Sequence, residues 1–274
     1  MTAAPAPAAP AAALQAAAAP LLEARAFTLR AGGRALVEDL HWSVRAGERW
    51  CVIGRNGAGK SLVLRALAGL AVPERAGDVL WQGRTQPAWP VGAAAAVRAL
   101  MPQQAQDRFA LTVARTLALS QVAAPPDGAA QAQRVAELLA ALDIAHLATR
   151  RADQLSGGER QRVALAQCAV QGAALMLLDE PVSFQDPAHQ QLVGRWLADA
   201  NGAGAGAWTR GGAWIASAAK LNALRKNVTS KLSAACRCRL TTPAMLQSSV
   251  TTTMPAAARA CPIVDASFIS TPVA

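Results

Sequence analysis

The apolar positions of the chain fall into short continuous runs and longer periodic ones, and the two kinds alternate. WCVIG, residues 50 to 54, is apolar until its glycine. A run of this length that stops at a turn residue predicts a strand buried on both faces, as in a parallel sheet. ALMLLDE, Ala174 to Glu180, predicts a second strand of this kind, and AWIASAAKLNALRKN, residues 213 to 227, predicts a strand running into a helix. SLVLRALAGL has helical spacing and closes at Gly69, a natural cap, while residues 129 to 148, AAQAQRVAELLAALDIAHLA, keep leucine and alanine on one helical face. Further helices are predicted from near Ser156 and after Pro187. The segment before Gly54, from Leu21 on, reads as short strands with glycine turns, alternating in LHWSV.

Strands alternating with helices predict an α/β fold with a mostly parallel sheet. An N-terminal antiparallel β part precedes it, and a more helical insert is expected at about residues 104–165. The expected organisation is a disordered Ala/Pro tail over residues 1–20, one domain over 21–228, and an atypical segment over 229–274. That last segment has small residues, scattered threonines and almost no acids, which points to weak folding, disorder or a degenerate copy carrying a frame change.

With 274 residues the chain is long enough for a substantial core. Its apolar fraction of 53% is inflated by alanine, and no stretch reaches the roughly 18 consecutive strongly apolar residues of a spanning helix. The chain is therefore read as soluble. The first twenty residues lack the basic start and leucine-rich centre of a secretory signal. Five cysteines, at 51, 168, 236, 238 and 261, form no metal-ligand spacing, and an odd count without a signal fits a reducing cytoplasm. The net charge of +10 is concentrated late: residues 201–274 hold eight Lys or Arg and a single acid, Asp265. No aromatic interleaving accompanies those charges, so nucleic acid is not expected as a partner.

Three motifs carry chemistry. GRNGAGKS comprises Gly54, Arg55, Asn56, Gly57, Ala58, Gly59, Lys60 and Ser61, and matches G-x-x-x-x-G-K-[ST] between a strand pattern and a helix pattern. Its glycines permit a tight loop of converging N–H groups, Lys60 is placed to reach the β- and γ-phosphates of a nucleotide, and Ser61 to bind Mg²⁺. Asp179 and Glu180 end a buried strand, where a carboxylate pair is costly without a cation or water network to engage it. Asp179 is assigned to Mg²⁺ through a water and Glu180 to the attacking water as general base. LSGGE places Ser156, Gly157, Gly158 and Glu159 at a second helix start, suited to another phosphate contact.

These motifs, in this order and with MPQQ and SFQD between and after them, resemble the ATP-binding subunits of ABC transporters over about residues 22–200, and most resemble those serving iron-chelate, haem and cobalamin uptake. The resemblance implies ATP and Mg²⁺ as cofactors and an ATPase. It also implies a head-to-tail homodimer, or paired cassette, that sandwiches ATP between one copy's phosphate loop and the other's LSGGE. Membrane permease subunits would be the partners, and the location cytoplasmic, peripheral at the inner face of the membrane. Gln103 would contact Mg²⁺ and the attacking water, and Asp186 would link the two sites across the dimer.

The sequence departs from that pattern at five residues in three segments. Phe184 and Gln185 replace small and apolar residues. Ala31 stands where an aromatic ring stacks on adenine, leaving Phe27 as the substitute. SAAKLN puts Ala219 at the position of the family's γ-phosphate-contacting histidine and Lys220 at the neighbouring acid. The alternative to a transport ATPase is therefore an ATP-binding module with impaired hydrolysis, and a third reading is a soluble ATPase of assembly or translation. His41, His146 and His189 are read as surface or structural residues.

Overall fold

The computed structural model describes residues 19–104, 110–121, 128–199, 212–218 and 263–265. Two sheets organise it. The first is antiparallel, in the order β2-β1-β4-β5, built from β1 (Leu22–Ala31), β2 (Arg34–Val44), β4 (Arg75–Trp81) and β5 (Arg84–Thr85). The second has the order β6-β7-β8-β3-β9, with every pair parallel. Its strands are β3 (Arg49–Ile53), β6 (Arg98–Met101), β7 (Leu175–Leu178), β8 (Ala213–Ala218) and β9 (Ile263–Asp265). This is the expected α/β phosphate-loop architecture with its antiparallel N-terminal part. Three residues of the atypical C-terminal segment, Ile263–Asp265, add the edge strand beside β3.

The continuous apolar runs became the central strands: every residue of β7 and β8 is buried. Between the strands lie six α-helices among the described residues: α1 (Lys60–Leu67), α2 (Val91–Val97), α3 (Val113–Leu119), α4 (Gly128–Ala141), α5 (Gly157–Gln171) and α6 (Pro187–Asp199). α1 lies in the core under the antiparallel sheet with Leu29, Val37, Trp42 and Trp50. Its last carbonyls are covered from that side. The Trp81 indole donates to Leu67 O, Gln86 Nε2 to Ala66 O and Leu67 O, and Arg98 Nε to Ala68 O. These bonds satisfy groups a helix end would otherwise leave unpaired, and they fix the axis along which α1 points at the site.

The helical segment packs differently from its sequence pattern in one place. The apolar period over residues 129–148 predicts one helix, but α4 stops at Ala141 and Asp143 turns the chain with φ of 53°. Leu142 and Ile144 on either side are fully buried, so burying both outweighs continuing the helix. α3 and α4 both pack on α5, whose buried face joins the core of the parallel sheet.

Candidate nucleotide site

Three chain segments leave the parallel sheet at the C-terminal ends of its strands: the phosphate loop after β3, Asp179 and Glu180 after β7, and Gln103 shortly after β6. β8 lies between β3 and β7. That end of a parallel sheet is where ligands of open α/β folds are held. The segments do converge, because Lys60 Nζ stands 3.6 Å from Glu180 Oε1.

The loop itself is shaped by two left-handed glycines, Gly57 at φ 80° and Gly59 at φ 89°. Gly59 is also sterically required: a Cβ there would sit 2.7 Å from the Leu36 side chain. As N-cap of α1 it offers no side-chain hydrogen bond, and no acid stands in the first turn. The first N–H groups of α1 and the positive end of its dipole are thus left to an outside anion. Lys60, only 6% exposed, donates to Gly54 O at 2.9 Å and Arg55 O at 3.1 Å, a buried ammonium held by carbonyls beside that opening.

Glu180 is the most constrained residue of the site. Its backbone lies in the left-handed region at φ 51°, a conformation that costs about 1–3 kcal/mol for a residue with a side chain. The backbone is held on both sides: its N–H donates to Ser217 Oγ at 3.0 Å, and its carbonyl accepts from Gln161 Nε2 at 2.5 Å. Its Oε2 accepts from Gln103 Nε2 at 3.1 Å and Ser183 Oγ at 2.9 Å. Oε1, facing Lys60, is the oxygen left for other chemistry. Asp179, nearly buried, accepts from Ser217 Oγ at 2.6 Å. Ser217 thus supports both acids at once, as donor to one and acceptor from the other. Sequence reasoning passed over Ser217, Gln161 and Ser183; the signal available was a lone hydroxyl inside the otherwise apolar AWIASA.

The second glycine-rich helix start behaves otherwise. Ser156 Oγ accepts from Glu159 N, and Glu159 Oε2 accepts from Ser156 N at 2.7 Å, a closed capping box. The Ser156 N–H, and after it the Ser156 hydroxyl, hold the Glu159 carboxyl below the usual carboxylate range. Gly157 and Gly158 remain at the tip. Gly158 lies against the Phe184 carbonyl, where a Cβ would come within 3.0 Å. Phe184, at φ 60°, is 67% exposed.

One sequence reading changes. Phe27 is fully buried in the core, because on β1 it alternates inward with Leu29; its ring has no face open to a base. His189, read as a helix-surface residue, lies partly exposed in the first turn of α6, where its ring meets the exposed carboxylates of Asp186 and Asp143. Ala31 is half-buried at the end of β1 opposite Arg34. Ala219 and Lys220 lie outside the described residues.

Oxygen is the only donor type that Ser61, Asp179 and Gln103 bring to this region, a set that suits Mg²⁺ with nucleotide phosphates completing its shell. The capless, acid-free start of α1 suits the phosphates themselves. Together, fold and site define a phosphate-loop nucleotide-binding protein. The family model described as ABC transporter matches residues 37–183, over half of the chain, and the chain belongs to that family. Among curated relatives, "Hemin import ATP-binding protein HmuV" of Streptomyces coelicolor is 41% identical over 59% of this chain and 58% of its own length. The protein of the same name from Pseudomonas aeruginosa is 41% identical over 58% and 64%. "Cobalamin import ATP-binding protein BtuD" of Halobacterium salinarum is 38% identical over 58% and 40%. The match therefore spans less than two thirds of these relatives' own length. Among solved structures, a nucleotide-free ATP-binding cassette from an ABC transporter superposes with TM-score 0.61 at 18% identity, over 76% of this chain and 85% of that one. An ATP-binding subunit of an ABC transporter gives 0.63 at 23%, over 76% and 82%. At those identities the likeness is one of fold.

Proposed function

We propose that this chain binds Mg-ATP and serves as the ATP-binding subunit of an importer for haem, cobalamin or a related iron chelate. The observation that carries the nucleotide half of this reading is the start of α1: a helix with no N-cap side chain and no acid in its first turn, beside a buried lysine. The substrate class rests on the names of the haem and cobalamin import relatives, and membrane permease subunits are the partners that class of protein requires. No helix among the described residues is long and apolar enough to cross a membrane; the subunit is proposed to sit at the inner face on its permeases, as a homodimer with ATP between copies.

When bound, Mg²⁺ would be held by Ser61 and Asp179 with Gln103 nearby, and would supply charge neutralisation at the phosphates. The amides of Gly57 to Ser61 cradle those phosphates, and Lys60 leaves its loop carbonyls for their oxygens. Glu180 Oε1 then takes a proton from water as the water oxygen bonds to the γ-phosphorus and the bond to the bridging oxygen breaks, giving ADP and phosphate. Gln103 and Ser183, both on Oε2, keep the other carboxylate oxygen turned away.

A second reading is supported by Ala219, which stands where the family resemblance has a histidine: an ATP-binding module whose hydrolysis is impaired. The two readings separate by equilibrium ATP binding measured beside single-turnover hydrolysis. Binding with slow turnover, raised about 10²–10³-fold by Ala219→His, is the result expected if the missing contact acts in the transition state. Ordinary turnover, unchanged by Ala219→His, removes the impaired reading. No ATP binding by the full chain removes both.

A further inference from the structure

β8 is buried along its whole length, and Ser217 brings into it a hydroxyl with no exposure to solvent. A hydroxyl taken out of water is costly unless its hydrogen bonds are made inside. The strand register shows where they are made. β7 makes its last pair, Leu178 with Ala216, one residue short of Ser217, so Ser217 stands level with the point where β7 gives way to Asp179 and Glu180. On the other side Ser217 pairs with Val52 of β3, and Ala218 with Ile53, the residue before the phosphate loop.

A serine hydroxyl donates one proton and accepts through its lone pairs. The Glu180 N–H donates to Ser217 Oγ at 3.0 Å, and Oγ stands 2.6 Å from Asp179 Oδ1. An ionised carboxylate only accepts, so the single hydroxyl proton goes to Asp179. With Oδ1 committed, Oδ2 of Asp179 is the oxygen available to a cation. The contact with the Glu180 N–H holds a backbone in the left-handed region, where a residue with a side chain stays only when its surroundings fix it.

The same strand end reaches the phosphate loop. Gly54 N–H donates to Ala218 O at 3.3 Å, Lys60 Nζ donates to Gly54 O at 2.9 Å, and Lys60 Nζ lies 3.6 Å from Glu180 Oε1. Ser217 and Ala218 share a peptide bond, so the contacts close a ring from Glu180 through Ser217, Ala218, Gly54 and Lys60 back to Glu180. Within that ring Ser217 is the side chain assigned to neither phosphate nor attacking water.

We propose that Ser217 is a positioning residue: its hydroxyl sets the Asp179–Glu180 pair against the phosphate loop, so that the cation-binding carboxylate and the general base keep their spacing from Lys60. The hydroxyl contacts stand by themselves; the catalytic consequence rests on the ATPase reading above.

Two variants of the full chain test this. Ser217→Ala removes the hydroxyl, and Ser217→Cys keeps a side chain of similar shape with a weak donor and acceptor, so the pair separates hydrogen bonding from packing. In nucleotide-free hydrogen exchange both variants are expected to lose several-fold protection at the Glu180 amide, with the Ile215 amide of the same strand unchanged. Unaltered exchange at Glu180, or an equal rise at Ile215, overturns the proposal. ATP titrations are then run in EDTA and in Mg²⁺. The Kd in EDTA is expected to stay at the wild-type value, while the gain in affinity that Mg²⁺ brings shrinks several-fold. Single-turnover hydrolysis at saturating Mg-ATP is expected to slow about tenfold. An unaltered Mg²⁺ gain and rate in variants whose exchange has changed overturn the positioning role, and in a chain that binds ATP without turning it over the Mg²⁺ gain alone decides it. A wild-type chain that binds no ATP refutes the functional reading above, while the exchange result still decides whether the hydroxyl holds Glu180.

Discussion

The starts of α1 and α5 are both glycine-rich, yet they treat their backbone amides in opposite ways. α1 begins at a left-handed glycine with no side-chain cap and no acid. α5 begins with a serine and a glutamate that satisfy two of each other's amides and place a negative charge on the dipole. Sequence alone made both look like bare rings of N–H groups. The difference teaches that glycine content alone does not decide how a helix start meets an anion: within one copy α1 leaves its start uncapped and its dipole uncompensated, while α5 commits the Ser156 and Glu159 amides to its capping box, with Gly157 and Gly158 at its tip.

Glu180 stands between these two starts, its carboxylate near Lys60 of α1 and its carbonyl on Gln161 of α5. Glu180→Gln keeps the shape and removes the base, so single-turnover hydrolysis is expected to fall about 10²–10⁴-fold with ATP binding retained. Lys60→Ala acts on the α1 side only and is expected to weaken ATP binding about 10- to 100-fold, the worth of a hydrogen bond to a charged group. Ser156→Ala, measured on the same monomer, should leave the Kd within about twofold. Equal losses for Lys60→Ala and Ser156→Ala in isothermal titration would mean that both starts hold one nucleotide in one copy, and the contrast between them would be gone.

Stability separates the two starts as well. Gly59→Ala forces a Cβ into the Leu36 side chain and into φ 89°, and is expected to destabilise by about 2 kcal/mol. Gly157→Ala meets only the Phe184 Cβ at 3.7 Å and has no positive φ, so a helix-favouring change of up to about 1 kcal/mol toward stability is expected there. Denaturant midpoints that move in the same direction for both variants contradict this picture.

The central strands, the helix pattern and the three motifs were legible because each depends on local chemistry: apolar runs, capping residues and a loop whose glycines set its shape. What was not legible depends on which distant groups meet. Nothing in AWIASA says that Ser217 will lie between Asp179 and Glu180, since that follows from β8 inserting between β7 and β3. The break of α4 at Asp143 was hidden because the leucine and alanine period continues past it; tertiary burial of Leu142 and Ile144 decides the turn. Phe27 failed as a base platform for the same reason, since alternation on β1 takes it inward. The contact of His189 with Asp143 was not legible because the two are remote in sequence.

The smallest effects test the closed start of α5. Ser156→Ala removes the Oγ that accepts from Glu159 N and is expected to lower stability by about 1 kcal/mol. The Glu159 carboxyl, held below the usual range first by the Ser156 N–H, adds a pH-dependent part. A carboxyl depressed in the folded state contributes stability that is complete above its unfolded value of about 4.3 and is lost as pH falls through the lower folded value. Glu159→Gln keeps an acceptor for the Ser156 N–H but carries no charge. Wild type is therefore expected to melt above Glu159→Gln at neutral pH, with the gap closing as the acid range is entered. A gap that stays constant through the acid range would show that the box contributes through geometry alone, and that the charge at the α5 start does nothing to offset its dipole.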